Sequence, residues 1–591
     1  MVDVVYVNHR AQQCGVYEFG REIGTLLETS AKYNIKYVEC DSYKEFDQYY
    51  KALKPQAVIF NYHAATMPWV WDSRKLSPPK ISRLKAVLIG VIHEVFQQEA
   101  DKANNDLFDF HIAPDPTLLL KNTIVYKTGR LLPRKPVEHE VQNPLPVIGS
   151  FGFATPNKGF ENIIKAVERE FDEAIIKLNI PFARFGDRDG DNARKLAKQC
   201  SDLITKPGIK LEIDHTYLEK DELLKFLSAN TLNIFLYEDV QNRGISSTID
   251  WALAAGRPLA ISKSTLFRHL FDCIPSICVD DNSLKQIISN GTRLLQKKYK
   301  EYSSEVLLWD YERIISDVLP RKNAVLLNRS WINLYKRKLK RKLNILPAQR
   351  YNSWVNPSAK AEWAVTNRKL TYTPVDNTII KYNRILDNEA RQLYKPTIDF
   401  FQTALPELIA RKIPEANVQQ AFVFDSAVNL LSKTQGAKIL AVGAYEDTAA
   451  EALRLLGYDI YFVDPVINYD LGMFITRPDI EAASYDAVIS TSVIEHVEDD
   501  VTFIKNIACL LKPNGIAILT CDFNDHYKKG DDIPEVDFRL YTQRDLKDRL
   551  MSAIPYCKLI DEADWDCPHP DFYLADRYNY TFATLTFSKQ A

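Results

Sequence analysis

Residues 438–465 read KILAVGAYEDTAAEALRLLGYDIYFVDP, and this stretch decides the fold of the C-terminal part of the chain. An apolar run, Ile439 to Val442, ends in Gly443, and a helical pattern then leads to a second apolar run that ends in Asp464. The order strand, turn, helix, strand is typical of a parallel α/β sheet. The glycine lets a ligand approach the backbone, and an acid after the second strand can accept hydrogen bonds from an adenosine ribose. The alternative is an ordinary strand–helix–strand unit with an acid on its surface.

The sequence downstream adds two further motifs. Tyr485 to Asp500 reads YDAVISTSVIEHVEDD, and Leu511 to Phe523 reads LKPNGIAILTCDF. Together they resemble class I S-adenosylmethionine-dependent methyltransferases, in which a strand is followed by an Asp/Glu-His pair, here Glu495-His496. A helix then leads through a Lys-Pro-x-Gly turn to the next strand. The resemblance covers roughly residues 435–591.

This resemblance implies S-adenosylmethionine as a cofactor and a Rossmann-like domain that needs no metal. The cofactor contacts that we expect are Gly443, Tyr445, Glu446 and Asp464. The sequence departs from the family at Ala444 and Tyr445, where further glycines are common, so that the loop is bulkier.

A base is expected beside the methyl group, because a hydroxyl acceptor loses its proton as it attacks. We expect His496 in this role, since the unperturbed pKa of histidine suits neutral pH. Asp522 and His526 follow the next strand and are second choices. The alternative role for His496 is to cap the helix that follows.

Length and composition limit what the chain can be. With 591 residues it is too long for one core, and about three or four folded units are expected. A net charge of −2 argues against general nucleic-acid binding. Nine cysteines without a CxxC pair, and a start without the features of a signal peptide, favour the cytoplasm. Ten histidines show no metal-binding spacing, so no metal site is expected.

The first 320 residues alternate between strand and helix signals, and a proline-rich stretch from Pro133 to Pro146 marks a boundary between two α/β units. Four segments here resemble retaining glycosyltransferases of the GT-B architecture, which use nucleotide-diphosphate sugars. They are Cys14-Gly15-Val16, Ile92-His93-Glu94, the loop SFGFATPNKG from Ser150 to Gly159, and RGISSTIDWALAAGRPLAIS from Arg243 to Ser262.

This second resemblance implies a cleft with the donor sugar facing His93 and the diphosphate held beside Gly15 and Lys158. Arg243, Gly244, Ser246 and Ser247 can cradle phosphate by charge, backbone N–H groups and hydroxyls. The family usually has two glutamates in this last segment. Here the matching positions are Arg243 and Trp251, or Asp250 if the register shifts by one.

The predicted organisation is α/β. Two Rossmann-like domains of GT-B type (1–143 and 144–320) are followed by a helical linker and cap (321–434) and a class I methyltransferase domain (435–591). Segment 334–346, within a basic amphipathic pattern, predicts either peripheral contact with the inner face of the membrane or a solvated linker helix.

The combined interpretation is a bifunctional enzyme of glycan assembly. One half transfers a sugar from a nucleotide-diphosphate donor to a saccharide or lipid-linked glycan, and the other methylates a sugar hydroxyl. Two alternatives stay open. In one, the N-terminal half only binds saccharide beside an active methyltransferase, and in the other both folds form a non-catalytic scaffold.

Overall fold

A computed structural model describes residues 2–10, 15–71, 80–136, 143–182, 187, 189–241, 243–328, 372–376, 380–434, 436–574 and 577–590. The chain divides into two compact units, Met1–Val365 and Thr366–Ala591. Within the described ranges, no helix is long and apolar enough to cross a membrane. The basic segment 334–346 lies outside the described residues, so its predicted helix stays a prediction.

The first sheet of unit 1 is parallel throughout. Its strands, in the spatial order β2-β1-β3-β4-β5-β6, are β1 (Val2–Asn8), β2 (Tyr33–Glu39), β3 (Ala57–Tyr62), β4 (Val87–Ile92), β5 (Phe110–Ala113) and β6 (Val125–Lys127). Its helices are α1 (Gly15–Leu27), α2 (Tyr43–Leu53) and α3 (Gln97–Lys102). Val4 to Val7 are all buried, which is expected of a parallel sheet covered on both faces.

The second sheet of unit 1 is also parallel, with the order β11-β10-β7-β8-β9. Its strands are β7 (Val147–Phe151), β8 (Ala174–Asn179), β9 (Ile209–Asp214), β10 (Leu232–Phe235) and β11 (Leu259–Ile261). The helices are α4 (Phe160–Glu170), α5 (Asp191–Asp202), α6 (Lys220–Ser228), α7 (Thr248–Ala254), α8 (Leu284–Asn290), α9 (Gln296–Glu301), α10 (Ser304–Val318) and α11 (Lys322–Asn328). After the second sheet, α10 returns to the first one, and its buried Leu307, Tyr311 and Ile314 join the core around Val4 and Ile59.

Unit 2 contains one mixed sheet with the order β13-β12-β14-β15-β18-β16, and β17 pairs with β18. Its strands are β12 (Lys438–Val442), β13 (Asp459–Val463), β14 (Tyr485–Thr491), β15 (Leu511–Phe523), β16 (Cys557–Leu559), β17 (Phe572–Leu574) and β18 (Tyr578–Lys589). The helices are α12 (Asn388–Leu393), α13 (Lys395–Ala404), α14 (Pro406–Ile409), α15 (Asn417–Leu431), α16 (Thr448–Leu455), α17 (Leu471–Phe474) and α18 (Asp500–Leu510), with a π-helical turn at Asp545–Leu550. The first four strands of the order are parallel, and β18 is antiparallel to β15 and β16. The predicted α/β class, with Rossmann-like sheets throughout, is confirmed.

The sequence predicts a helix from Ile379 to Leu408, and this prediction is wrong in its first part. Ile385 instead bridges to Ala583 beside β18, and the Leu386 N–H donates to the carbonyl of Phe582 at 2.8 Å. The pattern predicts burial correctly, since Ile385 and Leu386 are both buried. The edge of β18 supplies backbone partners that a local helix would otherwise supply, and this cannot be read from the segment alone.

Candidate active sites

Three neighbouring parallel strands of the first sheet place polar side chains at their carboxyl ends. The Asn61 amide, near the end of β3, donates to Asn8 Oδ1 at 2.9 Å and to the Val16 carbonyl at 2.8 Å. Its remaining Oδ1 lies 2.7 Å from His93 Nε2, so that Nε2 carries the proton and Nδ1 keeps its lone pair. Burial lowers the pKa of His93 to about 3, with Arg130 adding to the effect, so the imidazole is neutral at physiological pH.

The segment from Arg243 to Ser247 lies against the first sheet. Arg243 pairs with Glu94 at 3.2 Å, and a Cβ on Gly244 would lie 2.3 Å from the Cα of Glu94. A Cβ on Gly15 would lie 3.9 Å from Ser247 Oγ. The structure therefore brings together four of the residues predicted to hold the donor, beside the strand end that carries His93.

Lys158 follows β7 and lies on the face of Tyr237, with Nζ 4.0 Å from the ring centroid and 2.8 Å from the hydroxyl. That hydroxyl contacts Thr248 Oγ1 at 3.3 Å, and Thr248 in turn accepts from Ser246 at 3.2 Å. One chain of polar contacts thus links Lys158 to the Arg243–Ser247 segment.

The positions that match the family's paired glutamates have other uses here. Asp250 is buried and forms an ion pair with Arg130 at 2.5 Å, and Arg130 also donates to the Pro114 carbonyl. Trp251 is half-buried in the core around β10 and β11. Asp250 is therefore engaged within the fold, and Arg243 stands where the first glutamate is usual.

In unit 2, Gly443 forms the turn between β12 and α16. Its φ of 73° is in the left-handed region, and a Cβ there would lie 2.2 Å from Val493 Cγ2. Both facts exclude a side chain, so the turn stays narrow. Glu446, further along the turn, pairs with Arg411 at 2.8 Å.

Asp464 closes β13 beside this turn. Its carboxylate accepts from the Tyr445 N–H at 3.2 Å and from the Val466 N–H at 2.7 Å, and the residue is 9% exposed. Each oxygen has one protein donor, and a carboxylate can accept about four hydrogen bonds in all. The structure brings Gly443, Tyr445 and Asp464 together with acceptor capacity to spare.

His496 follows β14 in a short turn. Its Nδ1 lies 2.8 Å from Asp537 Oδ1 and 3.2 Å from the Val536 carbonyl, and 41% of its side chain is exposed. The hydrogen bond with Asp537 raises the pKa of His496 to about 9, and Glu495 adds to the effect. The sequence-based expectation that His496 has an unperturbed pKa is wrong, because the buried Asp537 carboxylate stabilises the protonated imidazole.

Residues 415–566 match the family model for a methyltransferase domain. The chain contains a methyltransferase domain. No curated protein matches the chain.

Several solved structures are similar to the chain. Anabaena HepE in complex with UDP and glucose is 11% identical, with 58% of this chain and 100% of that one covered and a TM-score of 0.32. Sucrose-phosphate synthase from Thermosynechococcus elongatus is 14% identical, with 58% and 100% covered and a TM-score of 0.35. The 1,6-didemethyltoxoflavin-N1-methyltransferase of Burkholderia thailandensis, with S-adenosylhomocysteine, is 14% identical, with 37% and 95% covered and a TM-score of 0.22.

The methyltransferase domain places three acidic side chains beside His496. Glu495, Asp522 and Asp537 are all buried, and we call them the acidic cluster. Burial raises the pKa of Asp522 well above its ordinary value, and the charges of Glu495 and Asp537 raise it further. Burial also raises the pKa of Glu495. In the described part of the chain, no group of three or more His, Cys, Asp or Glu side chains could hold a metal ion.

Sequence reasoning did not select Glu495 and Asp537 as candidate site residues. Glu495 was available as the partner of His496 in the motif, but Asp537 lies on the segment after β15 and carries no local signal. Asp522 was correctly placed at the end of β15. Because it is buried and its pKa is raised, it differs from a solvated carboxylate that could act as a base. The alternative candidate His526 lies on an exposed turn, where its N–H donates to Asn524.

Arginine and tyrosine side chains often contact sugars, but Arg539 and Tyr541 instead form contacts within the methyltransferase domain. Arg539 pairs with the buried Asp500 at 3.0 Å, and the Tyr541 hydroxyl donates to the same carboxylate at 2.7 Å. These contacts fix the segment that carries Asp537 against the start of α18.

Proposed function

We propose that the chain is a glycan-assembly enzyme with two activities. The methyltransferase domain methylates a sugar hydroxyl with S-adenosylmethionine, and unit 1 transfers a sugar from a nucleotide-diphosphate donor to a saccharide acceptor. The observation that carries the proposal is the narrow Gly443 turn beside Asp464, within a segment that matches a methyltransferase model. Fusion of the two activities raises the local concentration of one product at the other site.

The residues at the Gly443 turn fit the cofactor. Asp464 has spare acceptor capacity for the two ribose hydroxyls, and the turn lacks a side chain that would block the approach to the backbone. When bound, S-adenosylmethionine supplies an electrophilic methyl group. We assign the role of base to His496, whose Nδ1 is held by Asp537. Its Nε2 takes the proton of the acceptor hydroxyl in the fraction of molecules whose imidazole is neutral, a fraction that grows as the pH approaches 9.

In unit 1, the leaving group of the proposed reaction is a nucleotide diphosphate, which gains negative charge as its bond to the sugar breaks. Lys158 and Arg243 provide cations, and Ser246 and Ser247 provide hydroxyl donors. His93 is neutral and donates its one ring proton to Asn61, so its Nδ1 can accept a hydrogen bond from a hydroxyl of the donor sugar without adding charge. The acceptor is a saccharide or a lipid-linked glycan, and the predicted membrane contact of 334–346 rests on the sequence alone.

One observation favours a second candidate, in which unit 1 only binds saccharide. Arg243 replaces the first family glutamate, and Asp250 is tied to Arg130. Incubation of the full chain with a panel of nucleotide sugars and glycan acceptors distinguishes the two. Consumption of a donor supports transfer, whereas thermal protection by saccharide without donor consumption supports the binding module.

The cofactor assignment is tested by calorimetry of the full chain with S-adenosylmethionine. We expect Asp464→Ala to weaken binding by about 1.5–3 kcal/mol, the usual cost of lost hydrogen bonds to a charged group. Asp459→Ala is the control, because this acid is exposed at the other end of the same strand. A folded chain that gives no signal at millimolar ligand would overturn the assignment.

A further inference from the structure

The acidic cluster of the methyltransferase domain contains carboxyl oxygens without protein partners. Glu495 Oε2 and Asp522 Oδ1 accept no hydrogen bond from any described residue, although Glu495 is 0% exposed and Asp522 is 5% exposed. Ser492 donates to the other oxygen of Glu495 at 2.7 Å, and Tyr580 donates to Asp522. A buried polar atom that lacks its partner costs about 1–3 kcal/mol, so two such atoms in one place require an explanation.

Positive charge near the cluster does not balance its three acids. His496 is the cation that contacts it, through Asp537. Arg539, on the same segment, donates to Asp500 and to the Glu498 carbonyl instead. Among the described residues, the cluster therefore has more potential negative charge than its protein neighbours neutralise, and a cation from outside would correct this.

The place and surroundings of the cluster are those of a binding site. Glu495 follows β14 and Asp522 lies near the carboxyl end of β15, at the edge where open α/β sheets bind their ligands. Asp537 comes from the segment that covers this edge. On either side of it, Val536 is 70% exposed and Phe538 is 51% exposed. Exposed apolar side chains beside buried unpartnered acids provide surface for the apolar face of a ligand ring.

We propose that the acidic cluster binds the protonated amine of the methyl acceptor, which is therefore an amine-bearing saccharide. The proposal rests on the proposed methyl transfer and narrows its substrate class. An ammonium group has three N–H donors and one positive charge. The cluster offers the unpartnered oxygens of Glu495 and Asp522 and, because His496 contacts Oδ1 of Asp537, the Oδ2 atom of that residue. A divalent metal fits less well, since no described group of acids has the arrangement to hold one.

The test uses the full chain with glucosamine, N-acetylglucosamine and glucose as probes, by calorimetry with and without S-adenosylhomocysteine. We expect glucosamine to bind about tenfold or more tightly than the other two sugars, since they lack the charge-assisted hydrogen bonds. Binding of glucosamine should also release protons, because burial keeps the pKa of Glu495 and of Asp522 raised until a cation arrives. Measurement in two buffers of different ionisation enthalpy reports that release.

Glu495→Gln and Asp522→Asn should each remove most of the preference for glucosamine and leave S-adenosylhomocysteine binding unchanged. Glu498→Gln, an exposed carboxylate near the cluster, is the matched control and should keep the preference. Equal binding of the three sugars, or a preference that survives both variants, would overturn the proposal. Loss of S-adenosylhomocysteine binding in both variants would assign the cluster to the cofactor and overturn it as well. If the wild type binds no S-adenosylhomocysteine, the methyl-transfer function fails separately, and the sugar preference is still measured without it.

Discussion

Replacement of Asp537 by Asn should return the pKa of His496 toward its ordinary value. In the wild type the Asp537 carboxylate lies 2.8 Å from the imidazole and raises that pKa from 6.5 to about 9. This difference in the pKa of His496 corresponds to at most about 3.4 kcal/mol of folding free energy, at about 1.36 kcal/mol for each pKa unit. Because 41% of the His496 side chain is exposed, solvent screening reduces the contribution to about 1–2 kcal/mol.

The sign of the effect on stability follows from linkage. A raised pKa in the folded state means that the folded chain binds the proton more tightly than the unfolded chain. The stabilisation is therefore complete below about pH 6.5 and is lost as the pH rises through about 9. The same proton limits catalysis, so the rate of methyl transfer should rise with pH up to about 9 in the wild type and level off at lower pH in Asp537→Asn.

The assay is a pH titration of the histidine ¹H–¹³C resonances of the full chain, with His496→Gln used to assign the signal. Only ten histidines are present, so the spectrum is tractable. Glu535→Gln is the control, because Glu535 is an exposed acid on the same segment. A wild-type pKa near 6.5, or a pKa that Asp537→Asn leaves in place, would refute the reasoning.

Three further predictions concern the Gly443 turn of unit 2 and two charged residues of unit 1, Lys158 and Asp250. Gly443→Ala should lower the melting temperature and the affinity for S-adenosylmethionine more than Gly457→Ala does, as measured by thermal unfolding and calorimetry. Both glycines have positive φ, but only a Cβ at position 443 would collide with a neighbouring side chain. Lys158→Ala should reduce sugar transfer by at least about tenfold with little change in melting temperature, whereas the exposed Lys165→Ala should leave both unchanged. Asp250→Ala should destabilise unit 1 by about 3–5 kcal/mol in denaturant unfolding, because a buried arginine loses its partner, and a change below about 1 kcal/mol would contradict this.

Several strands of both units were predictable because they are short apolar runs in the sequence. The apolar run from Val147 to Phe151 predicts a strand, which is observed with those bounds. The pattern from Val418 to Leu431 predicts a helix, which is observed from Asn417 to Leu431. Periodicity identifies such segments because it is a property of neighbouring residues along the chain. The extended segment around Ile385 shows the limit, since its partner Ala583 is distant in sequence.

Candidate site residues could be predicted where they belong to a sequence motif. They could not be predicted where only the folded structure brings them close to the site. The sequence predicts that Gly443 and Asp464 lie close together, because the strand–turn–helix–strand pattern places both at one edge of a sheet. Asp537 was missed because nothing in its own segment indicates that it reaches His496. The pKa of His496 was misjudged for the same reason, since it depends on that contact.

The return of α10 to the first sheet of unit 1 has a consequence for synthesis of the chain. The apolar side chains Leu307, Tyr311 and Ile314 complete the core around Val4 and Ile59, yet the ribosome delivers them only after the whole second sheet. The earliest strands therefore emerge with one layer of their core missing and cannot finish folding in the order in which they are made. A fragment that ends before Ser304 would expose to solvent the face of the first sheet that α10 covers. The first sheet therefore completes its folding only after the second sheet and α10 have been synthesised.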